Sequence, residues 1–336
     1  MTQNKKEPLM SRLTRAYTKD MYSIMREYYR SKGIEDDYIE YRRQFETIAA
    51  AQLSKPLEIR LELNNYCNML CAMCYRNYHS YAEKVDLTDE LLDSIINEAK
   101  ALSIPAIHIG SNAEGTLHPN ASGIIKKIGA AGFLDFWMIT NGSQLGEDLL
   151  DVIIEAPVTR LTVSLDAVSQ QTYEKIRGNR VRLEEVESNI GRLLRMRDER
   201  KSKLPLLRVT FVDAPENCHE KQQFIDKWKD VADIVDIQAF YETSTDESLR
   251  KETKINMDYM CRFPFKSLVI GCDGELKPCD CAVPTYPMQK NGPVYLGKDY
   301  SSILEYWNSE WHRALCESLA VKKYLPECEA CNYRRT

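Results

Sequence analysis

From residue 57 onward, short apolar runs alternate with longer stretches in which apolar residues return every three or four positions. The runs LEIRLEL from Leu57, IPAIHIG from Ile104, LDFWMIT from Leu134, TRLTVSL from Thr159, LLRVTFV from Leu206 and DIVDIQAF from Asp233 predict strands. Between them, LTDELLDSIINEAKAL puts Leu91, Leu92, Ile95, Ile96 and Ala99 on one helical face, and the stretch from Val181 to Ser202 behaves likewise. Six strand-helix units in succession imply an α/β fold with a parallel sheet, either open and doubly wound or curved into a partial barrel. In either case reactive groups belong on the loops that leave the C-terminal ends of the strands.

The flanks of this pattern differ from it. Residues 1–55 are polar and Tyr-rich and read as a helical extension of two helices, MSRLTRAYTKDMYSIMREYYRS and DDYIEYRRQFETIAAAQL. After residue 255 the alternation stops, and CRFPFKSLVIGCDGELKPCDC carries a hairpin signal at CDG. The expected domains are therefore an extension at 1–55, an α/β core at 56–255 and a small cysteine-rich domain at 256–336.

Composition narrows the function. With 45 Lys and Arg against 50 Asp and Glu, there is no broad cationic field to attract nucleic acid or an anionic membrane. No apolar run approaches the ~18 residues a membrane helix needs, and the N-terminal stretch lacks the apolar core of a signal peptide. A cytoplasmic location is expected. There, 11 cysteines serve metal or redox chemistry better than disulfides.

The cysteines fall into sets. Cys67, Cys71 and Cys74 have the spacing C-x3-C-x2-C on the loop after the first core strand. Three thiolates hold three irons of a 4Fe-4S cluster and leave the fourth iron open, as a catalytic site requires. A zinc site completed by a distant residue is the alternative. Cys261, Cys279, Cys328 and Cys331 make a second set of four in the C-terminal segment, suited to another iron-sulfur cluster or to tetrahedral zinc. Cys272, Cys281 and Cys316 read as buried structural thiols or neighbours of that cluster.

The run CNMLCAMC, on a loop after the first strand of a six-unit α/β chain, resembles the signature of the radical S-adenosylmethionine (SAM) enzymes. The resemblance implies a partial (β/α)6 barrel, SAM chelated at the open iron, and reductive cleavage to a 5'-deoxyadenosyl radical that takes a hydrogen atom from substrate. GSNAEGTLHPN is similar to the family's Gly-Gly-Glu region, with Ser111, Asn112 and Ala113 departing from it, and by that likeness Glu114 helps hold the SAM amine. ITNG and VSLDAVSQQTYEKIRG also resemble family segments, which places Thr140, Asn141, Ser164, Asp166 and Arg177 among the SAM contacts, with Arg177 facing the carboxylate. A helix cap is the plainer reading of Ser164 and Asp166. His108 and His118 flank the Glu114 loop as packing or capping residues.

The C-terminal set resembles the auxiliary domain called twitch, related to the longer SPASM domain, and the implied cofactors are two 4Fe-4S clusters and SAM. The layout is similar to that of the twitch-type dehydrogenase that oxidises an aminocyclitol, 2-deoxy-scyllo-inosamine. The expected activity is oxidation or epimerisation of a polar small molecule, with flavodoxin or ferredoxin as electron donor. Cys218, just after the fifth core strand, is a candidate hydrogen-atom donor. Peptide side-chain modification and a non-catalytic iron-sulfur or zinc scaffold are the rival readings.

Overall fold

The computed structural model describes residues 14–18, 21–47, 53–74, 76, 83–240, 260–280, 301–324 and 328. Two N-terminal helices, α1 (Met21–Ser31) and α2 (Glu35–Thr47), follow a short strand β1 (Thr14–Thr18). The core then runs β2 (Glu58–Leu61), α3 (Asp89–Ala101), β3 (Ala106–Ile109), α4 (Ala121–Ala131), β4 (Asp135–Thr140), α5 (Glu147–Glu155), β5 (Arg160–Ser164), α6 (Gln170–Arg177), α7 (Leu183–Glu199), β6 (Leu206–Asp213), α8 (Lys221–Trp228) and β7 (Ile234–Ala239). It closes with α9 (Phe263–Lys266), β8 (Ser267–Ile270), β9 (Leu276–Lys277), α10 (Ile303–Trp307) and α11 (Glu310–Ala320). Among the described residues no helix is long and apolar enough to cross a membrane.

All described strands join one sheet in the order β1-β7-β6-β5-β4-β3-β2-β8-β9. Strands β2 to β7 lie parallel in sequence order, as the alternation predicts, and form the partial barrel. Two additions differ from the sequence reading. Residues 14–18, expected to be helical, pair antiparallel with β7 from Thr14 opposite Gln238 to Thr18 opposite Ile234. The unpaired amides and carbonyls along the β7 edge supply the bonding that local helical spacing could not reveal. The hairpin of the C-terminal segment is present as β8 and β9, yet β8 lies parallel to β2 and extends the core sheet. A small domain beginning at 256 therefore shares its first strand pair with the core.

Strand alternation divides two buried faces. Ile59, Leu61, Ile107, Ile109, Phe136, Met138, Leu161, Val163, Leu207, Val209, Phe211, Val235 and Ile237 pack outward beneath the helices in the main apolar core. The alternate positions face the other way and include many polar residues: Glu58 and Arg60 on β2, His108 on β3, Arg160 and Thr162 on β5, Arg208 on β6 and Asp236 on β7.

The N-terminal helices close the barrel at the bottom, where the strands begin. Met25, Tyr29, Tyr38 and Tyr41 form an apolar cluster with Leu57, Ala106, Leu204 and Leu206, residues at the starts of β2, β3 and β6. Tyr29 and Tyr38 stack at 4.4 Å, and the Tyr29 hydroxyl donates to the Leu134 carbonyl. Tyr41 donates to Asp135 Oδ2 at 3.3 Å. The extension is thus part of the core structure. We expect Tyr41→Ala to lower the unfolding free energy by about 3–5 kcal/mol, the usual cost of truncating a buried aromatic, as read from the urea midpoint.

Candidate active site

The C-x3-C-x2-C loop leaves β2 at the top of the barrel and is fastened on three sides. Glu114 N donates to the Tyr66 carbonyl at 3.1 Å, which ties the loop to the one after β3. Asn141 Nδ2 donates to Asn68 Oδ1 at 2.8 Å, which ties it to the loop after β4. Ala72 N donates to the Ile176 carbonyl at 2.8 Å, at the end of α6. The close approach of α6 needs Gly178, where φ is +82° and a Cβ would stand 3.2 Å from the Leu70 carbonyl oxygen. Gly110 has the same role at the start of the Glu114 loop, with φ of +80° and the Ile139 carbonyl oxygen 2.8 Å from where a Cβ would be.

Cys67, Cys71 and Cys74 are all half-buried. Their sulfurs face hydrogen-bond donors: Met69 N is 3.4 Å and Asn141 Nδ2 3.9 Å from Cys67 Sγ, and Arg177 Nη1 is 3.6 Å from Cys71 Sγ. Burial pushes the Cys67 and Cys74 thiols up, so ligation has to displace their protons. Among the described residues no three His, Cys, Asp or Glu side chains converge as ligands of one metal ion do. A cubane takes each thiolate at a different iron, and donors aimed at sulfur stabilise thiolate ligands. This donor set fits a 4Fe-4S cluster better than a single zinc.

Glu114, Thr140 and Asn141, three of the expected SAM contacts, meet at one point. The buried Glu114 carboxylate accepts from Thr140 Oγ1 at 2.7 Å, Asn141 N at 2.6 Å and Thr116 Oγ1 at 2.6 Å. Burial nevertheless pushes its carboxyl up. Asp166 and Arg177 also meet, as an ion pair with each other. Asp166 is fully buried in the left-handed region at φ +62°, and its other oxygen accepts from Val212 N at 2.7 Å. Burial works against the Arg177 charge, and Asp166 together with Cys71 more than offsets it, so the guanidinium is held charged. Ser164 ends β5 at an inward position, in register with Thr210.

The other expected residues separate. Cys218 is exposed on a single 3-10 turn after β6, its Sγ 3.5 Å from the Pro215 carbonyl. Cys261 and Cys328 pack against one apolar cluster with Leu315 and Leu319, while Cys279 follows β9. Cys331 and Cys281 lie outside the described residues. Cys272 and Cys316 are buried, and burial pushes each up to about 12, as structural thiols require. His118 caps locally, accepting from Asn120 N at 3.0 Å with Nε2 3.0 Å from the Leu87 carbonyl.

Sequence reasoning missed the polar inner face below this loop. Glu62 is the uppermost inward residue of the β2 segment and accepts from Asn112 N and Nδ2, both at 3.2 Å. Arg60 pairs with Glu58 at 2.9 Å and with Asp280, and Arg208 pairs with Asp236. The signal was the charged residue at every second place in LEIRLEL.

Residues 61–210 match the family model of the radical SAM superfamily, and residues 261–332 match that of an iron-sulfur cluster-binding domain, SPASM. The chain carries a radical SAM domain and a SPASM domain. It is similar to a probable GTP 3',8-cyclase of Thermococcus kodakarensis, 30% identical over 120 residues, which are 36% of this chain and 38% of that protein. A tungsten-containing aldehyde ferredoxin oxidoreductase cofactor-modifying protein of Pyrococcus furiosus is 24% identical over 316 residues, 82% of this chain and 86% of that one. Among solved structures, Streptococcus suis SuiB bound to its precursor peptide superposes with a TM-score of 0.59 at 12% identity, covering 85% of this chain and 72% of that one. BtrN in complex with AdoMet and 2-DOIA gives 0.52 at 15% identity, covering 82% of this chain and 92% of that one. The structural likenesses show the fold, and the two family matches carry 4Fe-4S clusters and SAM as cofactors.

Burial, then repulsion from Asp280, pushes the Glu62 carboxyl up to about 8. The folded protein therefore holds this proton after an unfolded chain has released it near the ordinary value of 4.5. The stabilisation is complete below that value and is lost as pH rises toward 8. We expect the unfolding free energy of the metal-free protein to fall by a few kcal/mol across this window, and Glu62→Gln to remove most of that fall, measured by urea titration at each pH.

Proposed function

We propose that this radical SAM enzyme abstracts a hydrogen atom from a polar small molecule seated inside the barrel, and that it oxidises or epimerises the carbon attacked. The observation that carries this reading is the polar inner face directly beneath the three-cysteine loop, closed at the bottom by α1 and α2. A compact polyhydroxylated substrate, such as a sugar or aminocyclitol, suits such a lining because hydroxyl groups trade water for fixed donors and acceptors. The Pyrococcus furiosus relative, matched over most of both chains, is named for modifying a cofactor, and this too favours a small-molecule substrate.

In this reading Cys67, Cys71 and Cys74 hold the catalytic cluster. When bound, the cluster with SAM at its open iron supplies one-electron cleavage of the sulfonium and a 5'-deoxyadenosyl radical. The chain's own residues arrange that site. Thr140, Asn141 and Glu114 form a fixed polar wall on one side of the loop, and Ser164, Asp166 and Arg177 form the other. Arg177 adds a charge-assisted donor toward a carboxylate or toward the Cys71 sulfur. Cys261, Cys279, Cys328 and Cys331 hold the auxiliary cluster, and flavodoxin or ferredoxin delivers the electron. If the auxiliary cluster took the electron of the substrate radical while the adjacent hydroxyl lost its proton, the product would be a ketone; if Cys218 instead returned a hydrogen atom, the carbon would invert and the Cys218 thiyl radical would be restored by an electron from flavodoxin or ferredoxin and a proton from solvent.

Anaerobic reconstitution tests the reading. Brown protein with about eight irons and reductant-dependent 5'-deoxyadenosine is expected, with Cys71→Ala abolishing cleavage and Cys331→Ala sparing cleavage but impairing turnover. Colourless protein that retains zinc and leaves SAM intact overturns it. A deuterium-transfer screen separates substrates: label passing to 5'-deoxyadenosine from peptides and from no sugar overturns the small-molecule assignment.

In deuterated water the wild type should form inverted product that carries solvent deuterium, and Cys218→Ala, without the hydrogen-atom source, should fail to form it. Product that keeps its solvent label removes Cys218 as donor.

A further inference from the structure

Deep on the inner face, four polar side chains on neighbouring strands carry polar atoms that no partner among the described residues meets. His108 is 0% exposed, and among the described residues neither ring nitrogen has a hydrogen-bond partner. Arg160 Nε, Arg208 Nε and Thr162 Oγ1 are buried and equally without partners. Strand register places them together: His108 is opposite Trp137, Trp137 opposite Arg160, and Thr162 opposite Arg208. Trp137 serves as the spacer, with the His108 ring stacked on it at 3.5 Å and the Arg160 guanidinium 4.4 Å from its centroid. Buried polar groups in native proteins are nearly always bonded, so a run of open donors marks a place made for acceptors.

Two of the three arginines of this face have carboxylate partners, and the third does not. Arg60 is answered by Glu58 and Asp280, and Arg208 by Asp236. Arg160 makes no ion pair among the described residues. Asp135 lends it some stabilisation but is itself engaged by Thr159 at 2.6 Å and Tyr41 at 3.3 Å. Burial, and then the field of Arg60, Arg160 and Arg208, holds the His108 imidazole well below its ordinary value and hence neutral. An anion here would give Arg160 the ion-pair partner that no described carboxylate supplies, and would meet the open donors of Arg208 and Thr162.

We propose that His108, Arg160, Thr162 and Arg208 form an oxyanion seat at the bottom of the barrel, which takes a carboxylate or phosphate on the substrate. The proposal rests on the reading that the substrate enters this barrel, and it narrows that substrate from polar molecules in general to acidic ones. Each two-residue step along a strand rises ~6.6 Å, so an acidic group at this layer leaves the body of a sugar acid or sugar phosphate one to two steps higher, below the three-cysteine loop.

The test uses the full chain, reconstituted anaerobically, with inorganic phosphate and acetate as probes in calorimetric titrations at ionic strength fixed with chloride. Saturable binding is expected for the wild type, weakened about tenfold in Arg160→Gln, as loss of a charge-assisted contact predicts. Thr162→Val should weaken it severalfold, and Arg192→Gln, on the outer helix α7, should leave it unchanged. Tighter phosphate identifies a phosphorylated substrate, and tighter acetate a carboxylated one. Absence of saturable binding of either anion, or binding undiminished in both inner-face variants, overturns the seat. Should Arg160→Gln not fold by circular dichroism, Thr162→Val, which removes one hydroxyl, decides. Wild-type SAM cleavage in the same preparation separates the two proposals: cleavage without anion binding sinks only the seat, and anion binding without cleavage sinks only the enzyme reading.

Discussion

A parallel sheet in which both faces are buried, but against different neighbours, is the constraint from which the other features follow. Because side chains alternate along each strand, one set of positions must satisfy the helices and the other must satisfy whatever fills the barrel. The outward set is almost wholly aliphatic, as helix packing demands. The inward set contains arginines, carboxylates and a histidine, and such groups tolerate burial only when paired or hydrogen-bonded. The Arg60, Glu58 and Asp280 network and the Arg208–Asp236 pair meet that demand within the protein. The remainder of the inner face is left for something else to meet.

The loops at the strand ends depend on this frame. The three-cysteine loop owes its position to contacts from three successive units, through Glu114, Asn141 and the end of α6. None of these contacts is local in sequence, yet each comes from a loop that the parallel topology brings to the same end. Glu114 shows how the arrangement is held. A carboxylate with 3% exposure would be costly alone, and Thr116, Thr140 and Asn141 surround it with donors.

Much of this was legible in the chain. The six core strands and the helices α3 and α7 fall where apolar periodicity puts them, because local pattern and tertiary role coincide there. The grouping of Glu114, Thr140 and Asn141 followed from motif order along the chain. Residues 14–18 were not legible, since their strand exists through an edge that only the folded sheet presents. Nor was the pairing of Asp166 with Arg177, which depends on a left-handed residue after β5. Charged residues at alternate positions in LEIRLEL look the same whether that face meets water or lines a barrel. The sequence pattern shows that one face is polar, and only the curvature of the sheet with α1 and α2 beneath it shows that the face is enclosed.

The join between the core and the C-terminal segment has the same logic. With β8 alongside β2, the chain after β9 turns directly over the inner face, and Asp280, next to Cys279, pairs with Arg60 in the middle of that face. The segment is therefore fixed to the barrel lining by a charge as well as by strand pairing. A ligand that altered the balance of Arg60 would be felt one residue from a cysteine of the second set. Strand register thus sets how near Cys279 stands to whatever the barrel holds.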